Sequence, residues 1–231
     1  MRNNRVISLL LVSLAMAASF AAPPSVPSAY ATITYAEGKS FSIIRNNQTR
    51  EWPVSDKQVF GMEIMPGDII HTSGSTFLEL SIKPIKAVIQ IAENTSYRCD
   101  IDESGTKSSG ELYYGRVRAK VAKLTGERSF KISSPSLVAG VRGTDFGCDV
   151  IAARKTSEPV VQRVFCFEGS VAVSDDKAPE AEPVLIGGSE MVETRVDVQS
   201  VTDKTAIAEA PAIQKVMLSD EVRGFWAEHP V

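Results

Sequence analysis

An all-β fold is predicted: an antiparallel β-sandwich or roll of about ten or more short strands, with a short C-terminal amphipathic helix. Three observations predict it. Apolar and polar residues alternate in short runs, as in Thr76–Ile82, where Leu78, Leu80 and Ile82 share one face and Phe77, Glu79 and Ser81 the other. Such runs recur at intervals of about ten residues, punctuated by Gly, Asn, Asp and Pro. Only from Lys204 onward do helix formers dominate, with a break at Pro211.

The first residues stand outside that pattern. Arg2 and Arg5 precede an apolar run from Val6 to Ala22, and a Pro-rich segment then leads to Ala29-Tyr30-Ala31, an A-x-A-like cleavage site. Residues 1–31 are expected to be a secretory signal peptide rather than an anchor, which needs ~20 apolar residues with few interruptions. No cysteine lies near the cleavage region, so no lipid anchor is expected there. Later stretches are not apolar enough to cross a bilayer as a helix, and no transmembrane span is expected after cleavage.

The strands follow in order. Thr32–Tyr35 and Ser40–Arg45 flank Glu37-Gly38-Lys39, and Ser40–Arg45 and Thr49–Val54 flank Asn46-Asn47-Gln48. Asn tolerates positive φ, so the second break reads as a hairpin. Met65-Pro66-Gly67-Asp68 turns into Ile69–Thr72, and Ser73-Gly74-Ser75 turns into Thr76–Ile82. Ala87–Ala92 repeats the alternation, with Ala87, Ile89 and Ile91 on one face. Ile101–Gly110 is polar and rich in Gly and Ser, and reads as a loop. Leu112–Val121 places Val117, Ala119 and Val121 inward and Arg116, Arg118 and Lys120 outward. Phe130–Ser133, Phe146–Ala152, Val160–Phe167 and Ser170–Ser174 complete the series. Val160–Phe167 carries apolar residues on both faces, the mark of a central strand with two covered faces.

The predicted organisation is therefore a signal peptide over 1–31 and a β domain over 32–174. An acidic, Pro/Ala-rich linker over 175–203 contains a short hairpin around Gly187-Gly188. The C-terminal segment, 204–231, carries an amphipathic helix over Ala212–Trp226, where Val216, Met217, Val222, Phe225 and Trp226 recur at helical spacing. That helix either packs on the β domain or offers a docking surface to a partner.

Composition limits the function. The net charge is −3, and removal of Arg2 and Arg5 with the signal peptide takes it to −5, which argues against nucleic-acid binding. Cys99, Cys148 and Cys166 show no metal-ligand spacing, and His71 and His229 are the two histidines, so neither a metal nor a cofactor is expected. A histidine general base is not expected, and Ser104–Lys107 and Ser174–Lys177 match S-x-x-K without the helix such a nucleophile requires. If 146–152 and 160–167 close as a hairpin near Ser157, Cys148 and Cys166 fall opposite one another. Export permits a disulfide there, leaving Cys99 free, and two buried thiols are the other reading.

Residues 111–131 are locally basic. Arg116, Arg118 and Lys120 project from one strand face, either as a patch for an anionic glycan, lipid head group or acidic partner, or as a solvated face that discourages edge pairing.

The run Tyr35–Val173 resembles a FecR-type domain, an extracytoplasmic signalling module. Pro66-Gly67-Asp68-Ile69-Ile70-His71-Thr72 is similar to the family's G-D-x-I-x-T step. Phe130–Phe146 is similar to its S/T-P, V-R-G-T-x-F signature, and Phe165–Val173 to its closing E-G-x-V-x-V segment. The resemblance implies an exported, non-enzymatic β domain. In the best-known members it follows a cytoplasmic anti-sigma segment and one membrane span. A signal peptide here leaves no such segment, so direct contact with a sigma factor is not expected. The leading expectation is a periplasmic or secreted binding or scaffold protein of the cell envelope, with an envelope protein or anionic glycan as partner. The alternatives are a periplasmic accessory of a signalling system and an enzyme acting on envelope glycans.

Within Ser134–Phe146 the residues read as structural. Pro135 suits a strand end or edge. Gly140 and Gly143 offer bulges or close approaches, and Thr144 offers a side-chain hydrogen bond to the backbone. Arg142 is expected to pair with Asp145 or Glu168, Phe146 to fill the core, and Gly169 to bend the closing strand.

Overall fold

The computed structural model describes residues 28–102, 106–152, 155, 158–196 and 213–229. Most of the expected signal peptide and residues 197–212 lie outside them. Seventeen strands and one α-helix are present among the described residues. They are β1 (Ala31–Glu37), β2 (Ser40–Arg45), β3 (Gln48–Pro53), β4 (Glu63–Ile64), β5 (Ile69–Thr72), β6 (Phe77–Ile82), β7 (Ala87–Ile91), β8 (Ser96–Ile101) and β9 (Lys107–Val121). There follow β10 (Ser129–Ser133), β11 (Leu137–Val141), β12 (Asp145–Ile151), β13 (Val160–Glu168), β14 (Ser170–Asp175), β15 (Val184–Gly187), β16 (Glu190–Val196), β17 (Gln214–Met217) and the helix α1 (Asp220–Ala227).

These strands form two sheets that share β9. The first runs β4–β1–β6–β7–β9–β12–β13–β16–β17, antiparallel throughout. The second runs β3–β2–β5–β8–β9–β10–β11–β14–β15 and is antiparallel except between β9 and β10. Strand β9 pairs with β8 as far as Tyr114, bends at Gly115, and pairs with β7 from Val117. The all-β sandwich is as the alternation predicts. Its core is contributed by both sheets, with Ile33, Leu80, Ile89, Phe146 and Val164 from the first and Phe41, Ile70, Tyr97, Phe130 and Val173 from the second.

Ile101–Gly110 is not all loop: β9 begins at Lys107. The ring of Tyr97 occupies the space where a side chain on Gly110 would sit. A run of small residues thus forms a strand because a neighbour supplies the bulk. The unanticipated β8 has the same origin, since Tyr97 and Cys99 are its inward residues and both are fully buried.

The stretch after β10 is a tight corner. Pro135 is exposed at the turn, Ser134 N–H donates to the Leu137 carbonyl (2.7 Å), and the buried Gln162 of β13 accepts from Ser134 Oγ (2.8 Å) and Ser136 N–H (3.1 Å). Gln162→Leu should destabilise the fold by about 1–3 kcal/mol, because it strands the Ser136 N–H. Urea titration of both proteins measures the difference.

Several expectations are corrected. Gly140 is a regular β11 residue paired with Lys131 and Ala172, and a Cβ there would meet nothing closer than 3.9 Å. The 184–196 segment is not a hairpin. Strand β15 joins β14 in the second sheet while β16 joins β13 in the first, and Ser189 (φ +70°) sits in the connection between them. The described part of the C-terminal segment, from residue 213, carries strand β17 first, and the helix starts only at Asp220, where Ser219 Oγ accepts from Val222 N–H (3.4 Å). Asp220 and Glu221 favour that N-terminus through the helix dipole.

Cys148 and Cys166 are not opposed. Cys148 pairs with Val164, and Cys166 with Phe146. Diagonal neighbours across such a ladder lie ~7–8 Å apart, beyond the usual Cα span of a disulfide. Cys99, Cys148 and Cys166 are all free and buried. Burial pushes the Cys166 thiol up to about 11 and the Cys148 thiol further.

Candidate functional site

The outer face of the first sheet gathers the charged residues. Because β12 pairs Asp149 with Arg116 of β9 and Arg163 of β13, and β13 pairs Arg163 with Glu193 of β16, one cross-strand row reads Arg116, Asp149, Arg163, Glu193. Arg163 Nε donates to Glu193 Oε2 (2.8 Å). Asp149 is almost wholly enclosed, with Arg116 Nε at 3.9 Å, and neither of its carboxylate oxygens has a hydrogen-bond partner among the described residues. Burial raises the Asp149 carboxyl to about 7, the two arginines notwithstanding.

The next row is apolar at its centre. Gly147 lies between Arg118 of β9 and Phe165 of β13, and Phe165 is opposite Met191 of β16. Gly147 is required by close approach. A Cβ there would lie 2.5 Å from the Phe165 ring and 2.6 Å from the Val117 carbonyl. Phe77, Ala92, Phe165 and Met191 form a cluster separate from the inter-sheet core.

The C-terminal β17 and α1 cover this face. Leu218, Val222 and Trp226 are buried against the cluster, and Phe77 meets Trp226 edge-on (6.0 Å between centroids) and stacks on His229 (4.2 Å). Glu221 bridges the charged row, with Arg116 Nη2 at 3.3 Å and Arg163 Nη1 at 3.2 Å. Arg116 also lies over the Phe225 ring at 4.4 Å. A cleft of about 450 Å³ opens beside Phe225, with Arg116, Tyr114 and Asn94 among its lining residues.

The predicted basic patch is therefore not a free surface. Arg116 faces Asp149 and Glu221. Arg118 is held by Asp145 through two bonds (2.8 and 2.9 Å) and stacks over Phe167 at 4.2 Å. Of the three, Lys120 alone is exposed. Asp145 pairs with Arg118 rather than with Arg142, which is exposed. His71 lies on β5, stacked against Tyr114 at 6.3 Å, with its pKa lowered by burial. Among the described residues no group of three or more His, Cys, Asp or Glu is placed to hold a metal ion, and no helix is long and apolar enough to cross a membrane.

Asp149, Arg163, Glu193 and Glu221 are not legible in the sequence as a site. The available signal is a charge in the middle of two largely apolar strands, Asp149 in β12 and Arg163 in β13. A charged residue on a covered strand face needs a charged partner.

The motif residues hold corners. Gly143 (φ +123°) carries the chain from β11 in the second sheet to β12 in the first, and Gly169 (φ +89°) returns it from β13 to β14. The corners touch: a Cβ on Gly169 would lie 3.0 Å from the Gly143 carbonyl oxygen. Thr144 Oγ1 donates to the Ser170 carbonyl at 3.0 Å, and Phe146 packs edge-on to Phe130 in the core. In the Pro66–Thr72 step, the buried Asp68 accepts two bonds from Arg45 (2.8 and 2.6 Å) and one from Met65 N–H (2.7 Å). Thr72 Oγ1 donates to the Ala92 carbonyl at 2.6 Å.

The family model described as FecR protein matches residues 68–172. The match runs from Asp68 through the first half of β14, so it contains Arg116, Asp149 and Arg163 but not Glu193 or the β17–α1 segment. No curated protein matches the sequence. Among solved structures, a "putative anti-sigma factor" from Parabacteroides distasonis ATCC 8503 is 14% identical with a TM-score of 0.51, over 70% of this chain and 64% of that one. The chain thus spans less than two thirds of that structure, and the likeness is one of fold. A second structure with the same name and source is 13% identical with a TM-score of 0.45, over 70% of this chain and 91% of that one.

Proposed function

With residues 68–172 forming a FecR domain as the premise, we propose that this protein is an exported regulator in a signal-transduction system, acting by binding a protein partner. The observation that carries the reading is the FecR match itself, over residues 68–172, which contains the Arg116–Asp149–Arg163 row that α1 covers. The name given to the structural neighbour with a TM-score of 0.51, "putative anti-sigma factor", agrees with a regulatory role. The basic-terminated apolar start of the sequence and its A-x-A-like site support export to the periplasm or cell surface.

We read the protein as non-enzymatic. Its site arginines are engaged in ion pairs and ring contacts, and its histidines in aromatic stacks. A purely scaffolding role is the second reading. Deleting the gene and profiling transcripts separates the two. A regulator should change a defined set of transcripts, restored by the complementing gene, and an unchanged profile under envelope stress would remove the signalling reading.

A further inference from the structure

We propose that the outer face of the first sheet is a docking groove for an acidic amphipathic helix of a protein partner, and that β17–α1 is a resident segment the partner displaces. The inference rests on the regulatory reading above and specifies the partner and the site.

Four observations carry it. First, the cluster beneath α1 is separate from the inter-sheet core, so the sandwich's packing does not depend on the helix. Second, β17–α1 lies outside the FecR match, whereas Arg116, Asp149, Arg163 and Phe165 lie within it. Third, the groove and its occupant are complementary in charge. Arg116 and Arg163 both point at Glu221, whose carboxylate is itself more than half exposed. Exposed pairs of this kind set specificity and approach more than they add affinity.

Fourth, the resident fit is imperfect. The seat leaves Asp149 Oδ1 and Oδ2 and Trp226 Nε1 buried without a hydrogen bond among the described residues. Each such atom carries a desolvation cost with no compensating bond. The attachment through β17 is also slight: four residues, all exposed, paired on one side only. A helix that brings a donor to Asp149 while keeping an acid over Arg116 and Arg163 would compete well. Such a ligand has an acidic first turn, apolar residues at the Val222 and Trp226 spacing, and an extended residue or two before it to add to the β16 edge.

The test uses the full chain. The probe is a fluorescein-labelled peptide of residues 213–229. Trp226→Ala unseats the helix without touching the inter-sheet core, and that variant should bind the peptide about tenfold or more tightly than wild type. Adding Arg116→Glu and Arg163→Glu to Trp226→Ala should abolish the gain, while circular dichroism keeps its β signal. A photo-crosslinking amino acid at Tyr114, on the cleft beside Phe225, then reports the occupant in cells. A crosslinked peptide from another protein, carrying acids at helical spacing, supports the proposal. Crosslinks only to residues 213–229 of a second copy, or equal peptide binding by wild type and Trp226→Ala, overturn it. If the groove fails these tests while deletion still changes transcripts, the docking proposal falls and the regulatory reading stands.

Discussion

Gly143→Val should destabilise the protein by about 3 kcal/mol or more. Gly143 has φ +123°, a region that L side chains rarely adopt. A Cβ there would lie 2.7 Å from Lys123 Cα and 3.1 Å from Lys123 N, so the obstruction is backbone rather than a side chain that can turn aside. The cost also spreads. The Gly143 carbonyl abuts Gly169, and both corners hand strands between the two sheets. Gly140→Ala is the control. It sits in a regular ladder with open space around its Cα, and should change stability by less than about 1 kcal/mol. Guanidinium titration of the two variants decides the matter, and equal midpoints would refute the assignment of Gly143 as the corner.

Asp149→Asn should remove a pH dependence of stability. With its carboxyl raised to about 7 by burial, the folded protein holds a proton that the unfolded chain releases in the ordinary carboxylate range. The stabilisation is therefore fully present below about pH 4 and is lost as pH rises through about 7. The groups facing it are Arg116 on β9, Arg163 on β13 and Glu221 on α1, with Glu193 of β16 beyond Arg163. The arginines hold the shift down, and Glu221 adds to it. Wild type should lose about 2–4 kcal/mol from this group between about pH 4 and pH 8. Asp149→Asn should flatten that segment and exceed wild type at the alkaline end. Parallel urea titrations at about pH 5 and about pH 8 provide the measurement, and an unchanged difference between the two conditions in the variant would refute the assignment.

How far the fold can be read from the chain depends on where each strand's bulk resides. Thr76–Ile82 and Ala87–Ala92 carry their own alternation, and both are strands. Lys107–Gly110 reads as loop because its inward volume belongs to Tyr97 on another strand. Val160–Phe167 reads as doubly covered, and is: Val164 faces the core and Phe165 lies under α1. The source of the second cover is not legible, since Val216 and Met217, placed on a helix by their spacing, lie on the exposed strand β17.

The sequence by itself determined the all-β class and the resemblance to FecR landmarks, because local alternation and backbone-restricted residues act at short range; which of Gly140 and Gly143 forms the corner came from the structure. Register and layer order were decided by tertiary structure alone. The two-residue offset that separates Cys148 from Cys166, the strand switch at Gly187–Ser189 and the pairing of Arg118 with Asp145 depend on which strands meet. Placing Arg116, Asp149 and Arg163 in one row requires the β9–β12–β13 ladder, and covering that row requires a helix more than fifty residues further along the chain. Charges that read as a solvated strand face thereby become the seat of α1, because burial turned each into a group that needs a partner.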